Sequence, residues 1–191
     1  LNSPGSLLAQ RLSNLTQNAA AVFAFLGLFL FHFSFFQAGA LPGKNYFRLL
    51  FKQGFLDSLL FIQGALLNAA INETIRVIVL RPRPFVYQEP QVSGDIPSHY
   101  TSFYSGHTSF ATVMAVTFVL ILRMRGARGW SYYLMAGFSF ALMIATGVFR
   151  VTGGQHFVTD VVFGALAGII VSVFILILHF PKRTTEISAT V

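Results

Sequence analysis

Long apolar runs separated by short polar segments dominate the chain. Two of them, residues 19–36 and 130–149, contain no charged side chain. A membrane-spanning helix needs about 20 mostly apolar residues, and five runs are close to that length. They are residues 19–36, 53–75, 107–122, 130–149 and 157–180. The pattern therefore predicts an all-α, polytopic transmembrane helix bundle with five spans.

Composition favours a membrane protein over a soluble one. The chain of 191 residues is 54% hydrophobic and 10% charged, whereas a soluble domain carries about 25% charged residues. Buried core helices of a soluble protein are the alternative for the shorter runs, but the linkers are too short to wrap a large soluble fold. The sequence contains no cysteine, which excludes a zinc site built on thiolates.

The run boundaries divide the chain into three parts. Residues 1–18 are predicted to be a polar N-terminal segment at the membrane interface, residues 19–180 the membrane-embedded domain, and residues 181–191 a cytoplasmic tail. The chain begins with leucine, so a sixth helix upstream is left open. A signal-peptide cleavage site at Ala38-Gly39-Ala40 is a third interpretation, although the apolar run before it exceeds the usual length of about 7–15 residues.

Basic residues are distributed unevenly between the two sides that five alternating spans define. One side carries eight of them: Lys44, Arg48, Lys52, Arg123, Arg125, Arg128, Lys182 and Arg183. The other side carries five: Arg11, Arg76, Arg81, Arg83 and Arg150. Excess Lys and Arg mark the cytoplasmic face, so the second side is predicted to be extracytoplasmic. Because the basic residues are placed in this way, the net charge of +7 does not indicate a nucleic-acid partner.

Three polar clusters lie at run edges on the predicted outer side. In the first, Arg76 and Arg83 are seven residues apart. Pro82 and Pro84 disfavour a continuous helix at this point. The chain is expected to curl back, so that both guanidinium groups converge on one anion. Contact with lipid headgroups is the alternative for either arginine alone. Seven residues before Arg81 stands Thr74, which cannot hold an anion, so Arg81 is treated as peripheral.

The second cluster, Ser105-Gly106-His107, opens the third run. Ser105 is predicted to cap a helix whose first free amides, at Gly106 and its neighbours, form a phosphate-binding end. His107 is placed to donate a proton to a leaving oxygen. The alternative is a simple helix cap with an interfacial histidine. The similar Pro97-Ser98-His99 segment lacks the glycine and no span follows it directly, so His99 is discounted.

The third cluster, Arg150, His156 and Asp160, opens the last run. His156 and Asp160 are four residues apart and share one helix face. Asp160 is expected to accept a hydrogen bond from one imidazole nitrogen and leave the other free as a nucleophile. An aspartate at the end of a membrane helix is costly without a partner, which favours a functional role. Gly164 and Gly168 continue the face and favour close packing within the bundle over dimerisation.

The three clusters, in this order and at these spacings, resemble the type 2 phosphatidic acid phosphatase superfamily. The pattern of that family is Lys-x6-Arg-Pro, Pro-Ser-Gly-His and Ser-Arg-x5-His-x3-Asp. The resemblance covers residues 76–160, with a similar helix layout through residue 180. It implies a membrane enzyme of the bacterial lipid phosphatase branch, with its site on the periplasmic face of the inner membrane. It also implies catalysis without a metal or any other cofactor.

The resemblance also implies a role for each matched residue. His156 is implied to be the nucleophile that forms a phosphohistidine, Asp160 its orienting partner, and His107 the general acid. The implied phosphate-binding residues are Arg76, Arg83, Ser105, Gly106 and Arg150.

Three positions depart from the family pattern. Arg76 stands where lysine is usual, Tyr104 where proline is usual, and Phe149 where serine is usual. These exchanges keep both histidines, the aspartate and the positive charge, so activity is still expected.

The expected reaction is hydrolysis of a phosphomonoester or pyrophosphate of a lipid, with the bilayer and the lipid phosphate as partners. The resemblance leaves four lipids open: phosphatidylglycerol phosphate, phosphatidic acid, undecaprenyl pyrophosphate and lipid A phosphate. Residues 85–104 are expected to lie over the site and influence that choice. A lipid-to-lipid phosphotransferase and a non-catalytic lipid-binding or transport protein are the alternatives. The central thirds of the spans are uncharged, which disfavours transport.

Overall fold

The computed structural model describes residues 4–37, 44–88 and 96–180, which contain helices and no strand. The described residues form six α-helices: α1 (Pro4–Gln37), α2 (Lys44–Val79), α3 (Pro84–Gln88), α4 (Gly106–Met124), α5 (Trp130–Thr152) and α6 (Val158–His179). A short 3₁₀ turn, Pro97–Tyr100, precedes α4. Five segments are long and apolar enough to cross a membrane: Gly5–Ser34, Phe51–Tyr87, Gly106–Met124, Trp130–Thr152 and Val158–His179. The predicted all-α bundle with five spans is therefore confirmed.

Helix α1 is longer than the first predicted span. It begins at Pro4 and continues without a break through residue 18 to Gln37, so the polar N-terminal residues and the apolar run form one helix. Ser13 is fully buried in this polar half. Its polar side chains occupy buried or half-buried positions, such as Ser13 and Thr16, as well as exposed ones, such as Arg11 and Asn14, so an apolar pattern did not predict it. The predicted tail, residues 181–191, and the Ala38–Ala40 site lie outside the described residues.

Helix α4 is the centre of the bundle. It contacts α1, α2, α5 and α6, and 67% of its span is buried, against 28–33% for the other four spans. Phe118 and Leu122 of α4 join Phe61 of α2 and Leu28 of α1 in the apolar core. Because its neighbours surround it, α4 presents its N-terminal residues to the middle of one end of the bundle.

The backbones of α4 and α6 are in close contact, without side chains between them at two glycines of α6. A Cβ atom added to Gly164 would lie 2.7 Å from the Ser105 carbonyl oxygen, and one on Gly168 would lie 2.6 Å from the Ser109 carbonyl oxygen. Ser172, one turn further along α6, donates a hydrogen bond to the Val113 carbonyl at 3.4 Å. The two glycines therefore serve close packing within the bundle, the role that the sequence favoured.

A buried ion cluster joins three parts of the chain at the opposite end of the bundle. Asp57 of α2 is fully buried, and Arg125, just after α4, donates to both of its oxygens at 3.0 and 2.6 Å. His32 of α1 lies 3.1 Å from the same carboxylate through Nε2. The cluster fixes α1, α2 and the end of α4 relative to one another.

Candidate active site

The three predicted clusters meet at one end of the bundle. There α2 ends, α4 and α6 begin, and α5 ends one short turn before α6. The backbone N–H of Ser105 donates to the Asp160 carbonyl at 3.0 Å, which joins the second cluster to the third. His107 lies close enough to Arg150, His156, Arg83 and Arg76 to interact with their charges. The structure thus brings together residues that are up to 84 positions apart in the sequence.

The first cluster curls back as its prolines predicted. Helix α2 ends at Val79, and Leu80 adopts a positive φ of 48°, which turns the chain out of the helix. After α3 and the 3₁₀ turn, the chain returns alongside α2. The N–H of Ser102 donates to the Arg81 carbonyl at 2.9 Å, and the N–H of Arg83 to the His99 carbonyl at 2.8 Å.

His156 is almost fully buried, and its two ring nitrogens have different environments. Nδ1 lies 2.7 Å from the Ser102 carbonyl oxygen. A carbonyl only accepts, so Nδ1 must carry the proton. Nε2 lies 3.4 Å from Nη2 of Arg150, a donor. The unprotonated Nε2 is therefore the nitrogen available for nucleophilic attack.

Asp160 supports His156 differently from the expected geometry. Its Oδ2 is 3.8 Å from His156 Nδ1, within ion-pair distance but too far for a hydrogen bond. The Ser102 carbonyl is closer and accepts the imidazole proton instead. The Ser102 hydroxyl in turn donates to Asp160 Oδ2. Asp160 thus holds both His156 and the residue to which His156 is hydrogen-bonded.

Arg81, which was expected to be peripheral, is part of the site. Its Nη1 donates to Asp160 Oδ1 at 2.6 Å and to the Thr159 hydroxyl at 2.9 Å. Its guanidinium also stacks 4.3 Å above the ring of Phe157. The seven-residue spacing from Arg76 to Arg83 identifies a pair of arginines for anion binding. It carries no information on which arginine pairs with the aspartate.

Burial lowers the pKa of His156 below its ordinary value of 6.5, and the nearby Asp160 carboxylate opposes this change. The positive charges of Arg150 and Arg83 lower the pKa further, whereas the hydrogen bond to the Ser102 carbonyl raises it. The net effect keeps the imidazole neutral at neutral pH, as a nucleophile requires.

Arg76 and Arg83 each donate to a neutral oxygen of the returning segment and also have a partner elsewhere. Arg76 donates to the Thr101 hydroxyl at 2.9 Å and also pairs with the exposed Glu73. Arg83 donates to the Ser98 carbonyl at 3.0 Å and, through Nη1, to the Gln155 side-chain oxygen at 2.7 Å. These bonds orient the guanidinium groups without cancelling the charge of Arg83, which has no carboxylate partner among the described residues.

Arg150 has a buried donor that is available to an anion. It is 7% exposed, and its Nε has no hydrogen-bond partner in the described part of the chain. Its Nη1 donates to the Ser13 hydroxyl at 3.3 Å. A buried guanidinium donor without a partner is costly, and a phosphate oxygen is the type of acceptor that arginine binds best.

The second cluster forms the helix N-terminus that its sequence predicts. Ser105 is the N-cap of α4 and accepts a hydrogen bond from the Thr108 N–H. A Cβ atom on Gly106 would lie 2.7 Å from the side-chain oxygen of Asn72, so any larger residue there would displace Asn72. Asn72 donates to the Tyr104 carbonyl at 2.9 Å and steadies the turn. The N–H groups of Gly106 and His107 lie in the first turn, where amides have no partner within the helix.

Two further residues singled out from the sequence pack beside the clusters. The ring of His99 packs edge-to-face against Phe85 at 4.9 Å. Tyr104 is buried at 2% exposure, and burial raises the pKa of its hydroxyl. It therefore fills space beside the turn as a neutral side chain. Glu89 and Asp95, expected over the site, fall outside the described residues.

A cavity of about 580 Å³ opens beside His156. Its lining is largely apolar and includes Pro84, Phe85, Val151, Phe157 and Val158. Ser6 of α1 also borders it. The cavity gives a bulky, partly apolar molecule a route to the buried imidazole.

Sequence reasoning missed several residues that shape the site. They are Ser13, Asn14, Arg81, Ser102 and Gln155. Ser13 contacts Arg150, and Asn14 Oδ1 lies 2.9 Å from His107 Nε2. The polar character of residues 1–18 was visible in the sequence, but nothing there linked it to helices more than 90 residues away. Ser102 acts mainly through its carbonyl, which every residue has.

Residues 57–184, about two thirds of the chain, match the model of the PAP2 superfamily. The chain belongs to this superfamily. "Probable lipid phosphate phosphatase beta" of Arabidopsis thaliana is 27% identical over 134 residues, which are 61% of this chain and 62% of that protein. The match thus spans about three-fifths of the length of that relative.

The fold is similar to solved structures as well. The crystal structure of Aquifex aeolicus LpxE has a TM-score of 0.50 and 23% identity, and the match covers 91% of this chain and 95% of that one. A more distant similarity is to the crystal structure of a transmembrane PAP2-type phosphatidylglycerolphosphate phosphatase from Bacillus subtilis, with a TM-score of 0.47 and 17% identity over 97% of this chain and 91% of that one.

Proposed function

We propose that the protein is an integral membrane lipid phosphatase that hydrolyses a phosphomonoester or pyrophosphate through a phosphohistidine on His156. The observation that carries this proposal is the environment of His156. Its Nδ1 is held by the Ser102 carbonyl, and its unprotonated Nε2 lies beside Arg150, whose buried Nε has no partner among the residues that the structure describes. A nucleophile and an unsatisfied anion-binding group are thus adjacent.

The first step transfers the phosphoryl group to the enzyme. The lone pair of His156 Nε2 attacks phosphorus, and the bond from phosphorus to the ester oxygen breaks. His107 gives a proton to that oxygen as it leaves. Arg76, Arg83 and Arg150, together with the amides at the start of α4, balance the charge on the three remaining phosphate oxygens.

The second step returns the enzyme to its starting state. Water attacks the phosphohistidine, His107 takes a proton from this water, and the bond from phosphorus to Nε2 breaks. Inorganic phosphate leaves, and His156 is again neutral with its proton on Nδ1. Asp160 and Arg81 keep the ring and the Ser102 segment in place throughout.

In this proposal the arginines supply the positive charge, and no metal takes part. The lipid phosphate enters beside His156 through the largely apolar cavity, with its tails remaining between the helices and the bilayer. The uneven distribution of basic residues supports a site on the extracytoplasmic face, in a bacterial inner membrane.

The test is phosphate release by the purified protein in detergent, measured on a panel of the four candidate lipid phosphates with EDTA present. We expect release from at least one lipid, inhibition by vanadate, which mimics the five-coordinate transition state, and complete loss in His156→Ala. Thr74→Ala serves as the control, because Thr74 is an exposed residue of α2 whose hydroxyl bonds the Ala70 carbonyl of its own helix. Loss of turnover with EDTA, restored by magnesium or zinc, would contradict the proposal.

A further inference from the structure

The N-terminal half of α1 brings two polar side chains to the reacting groups. We propose that Asn14 is a positioning residue: its side-chain oxygen accepts the Nε2–H of His107, so that His107 presents its Nδ1 proton to the leaving oxygen. This inference rests on the acid role given to His107 in the proposed function. Helix α1 ends before the residues that match the family model begin, so this contact is contributed by a part of the chain outside the match.

The contact between Asn14 and His107 joins the first helix to the start of α4. Asn14 Oδ1 and His107 Nε2 are 2.9 Å apart, a normal hydrogen-bond distance. Asn14 is an exposed side chain in the bundle, and His107 is partly buried. Asn14 therefore borders the open side of the site, where a substrate would meet His107.

Neighbouring contacts hold this turn of α1 in place. Ser13, fully buried, accepts a hydrogen bond from Arg150. Thr16 accepts one from Thr146 of α5 at 2.9 Å. With α1 fixed against α5 on both sides of Asn14, the amide has a defined position relative to His107.

The chemistry of a general acid sets which atom of Asn14 must face the ring. A histidine that donates a proton starts in its protonated form, in which both ring nitrogens are donors. If Asn14 accepts from Nε2, that proton is held and Nδ1–H is the one to be transferred. An amide turned the other way would place its NH₂ against Nε2–H, two donors facing each other. The acid role therefore requires the oxygen of Asn14 to face His107.

The experiment compares Asn14→Leu, Asn14→Asp and wild type on two substrates in detergent. Phosphatidic acid has a poor, alkoxide leaving group, whereas p-nitrophenyl phosphate has an acidic one that departs without help. Asn18→Leu is the matched control, because Asn18 is an exposed asparagine one turn further along α1. His107→Ala and the double variant Asn14→Leu/His107→Ala complete a mutant cycle.

We expect Asn14→Leu to lower kcat on phosphatidic acid about 10-fold or more, a part of the effect typical of general acids. On p-nitrophenyl phosphate it should retain at least a third of the wild-type rate. Asn14→Asp, which keeps an acceptor oxygen, should retain most activity on both substrates, and Asn18→Leu should match wild type. In the His107→Ala background, Asn14→Leu should have no further effect.

Several results would overturn the inference. Wild-type activity of Asn14→Leu on phosphatidic acid would do so, and so would equal loss on both substrates, which indicates a merely structural role. Loss in Asn14→Asp as large as in Asn14→Leu would exclude the acceptor role. A wild-type protein inactive on p-nitrophenyl phosphate and on all four candidate lipid phosphates would instead contradict the proposed function itself, and this inference with it. If the panel identifies another lipid phosphomonoester as the substrate, that lipid replaces phosphatidic acid in the comparison.

Discussion

At the scale of single residues, His156 has two features that a nucleophile needs: one nitrogen is held by a hydrogen bond to a carbonyl, and the other carries no proton and lies beside the Arg150 guanidinium. The Ser102 carbonyl accepts from Nδ1, and Asp160 supports both residues. A backbone carbonyl carries no charge, so it fixes the tautomer without drawing a second proton onto the ring. The negative charge that stabilises the protonated ring sits further away, at 3.8 Å.

The lowered pKa of His156 predicts how activity changes with pH. An imidazole whose pKa is lowered stays neutral down to a lower pH. The nucleophile should therefore remain competent below the ordinary histidine pKa of 6.5. We expect the acidic limb of kcat/KM on p-nitrophenyl phosphate to lie below pH 6.5, once the ionisation of the substrate is taken into account. A limb at or above pH 7 in a full pH profile would contradict this assignment.

Arg81 predicts a kinetic effect different from that of a phosphate-binding arginine. Arg81→Gln removes a 2.6 Å charged hydrogen bond to Asp160, an interaction worth about 2 kcal/mol. We expect kcat to fall roughly 10-fold with KM nearly unchanged, because Arg81 acts through Asp160 and not on the substrate.

Arg83→Gln and Arg11→Gln are the comparisons for Arg81→Gln. Arg83→Gln removes a proposed phosphate contact and should raise KM as well as lower kcat. Arg11 is an exposed arginine on the same side of the bundle, and its replacement should change neither constant. If Arg81→Gln raised KM as strongly as Arg83→Gln, Arg81 would have to be counted among the phosphate-binding residues.

At the scale of helices, the close contact between α4 and α6 sets the distance between the two halves of the site. His107 and Ser105 belong to the start of α4, and His156 and Asp160 to the start of α6. The glycines of α6 allow the backbones to meet at the first turns. Any side chain there would separate the proton donor from the nucleophile.

Gly168→Ala should therefore weaken both stability and activity. Its Cβ atom would lie 2.6 Å from the Ser109 carbonyl oxygen, a backbone atom that cannot turn aside. We expect a loss of about 1–3 kcal/mol, typical of overpacked sites, measured as a lower midpoint of thermal inactivation in detergent. Gly137→Ala is the control, since Gly137 of α5 has open space around it. Equal midpoints for the two variants would show that the contact between α4 and α6 can accommodate a methyl group at residue 168.

The helices were largely predictable from the sequence because membrane spans need long apolar runs. The polar half of α1 was not, because its polar side chains occupy both buried positions, such as Ser13, and exposed ones, such as Asn14, and so break the apolar pattern. The spacing of Arg76, Arg83, His107 and His156 located the site. Which partner holds His156 could not be predicted, because a carbonyl such as that of Ser102 has no signature in a sequence.

At the scale of the whole molecule, the site and the Asp57 cluster lie at opposite ends of the bundle. By the positive-inside rule, basic residues such as Arg123, Arg125 and Arg128 near the second end predict that this end faces the cytoplasm. The site would then be reached from outside the cell, and the orientation can be measured because the chain has no cysteine.

Single cysteines should report this orientation without background labelling. Ser98→Cys lies on the exposed segment beside the site, and Arg128→Cys on the exposed link between α4 and α5. In intact cells or right-side-out vesicles, a membrane-impermeant maleimide should label Ser98→Cys at once and Arg128→Cys only after permeabilisation. The reverse order of labelling would mean that the site faces the cytoplasm.

The short α4 ties the site to the thickness of the surrounding bilayer. Its 19 residues extend about 28 Å at 1.5 Å per residue, close to the hydrocarbon thickness of about 30 Å. Helices α1 and α2, with 34 and 36 residues, are longer than the hydrocarbon layer requires. The length of α4 is therefore the one that must match the thickness of this layer. A thicker bilayer would have to thin locally around the protein or draw His107 towards the hydrocarbon. The acyl chains of the host membrane, which take no part in the chemistry, would thereby govern how easily a lipid phosphate reaches the histidines.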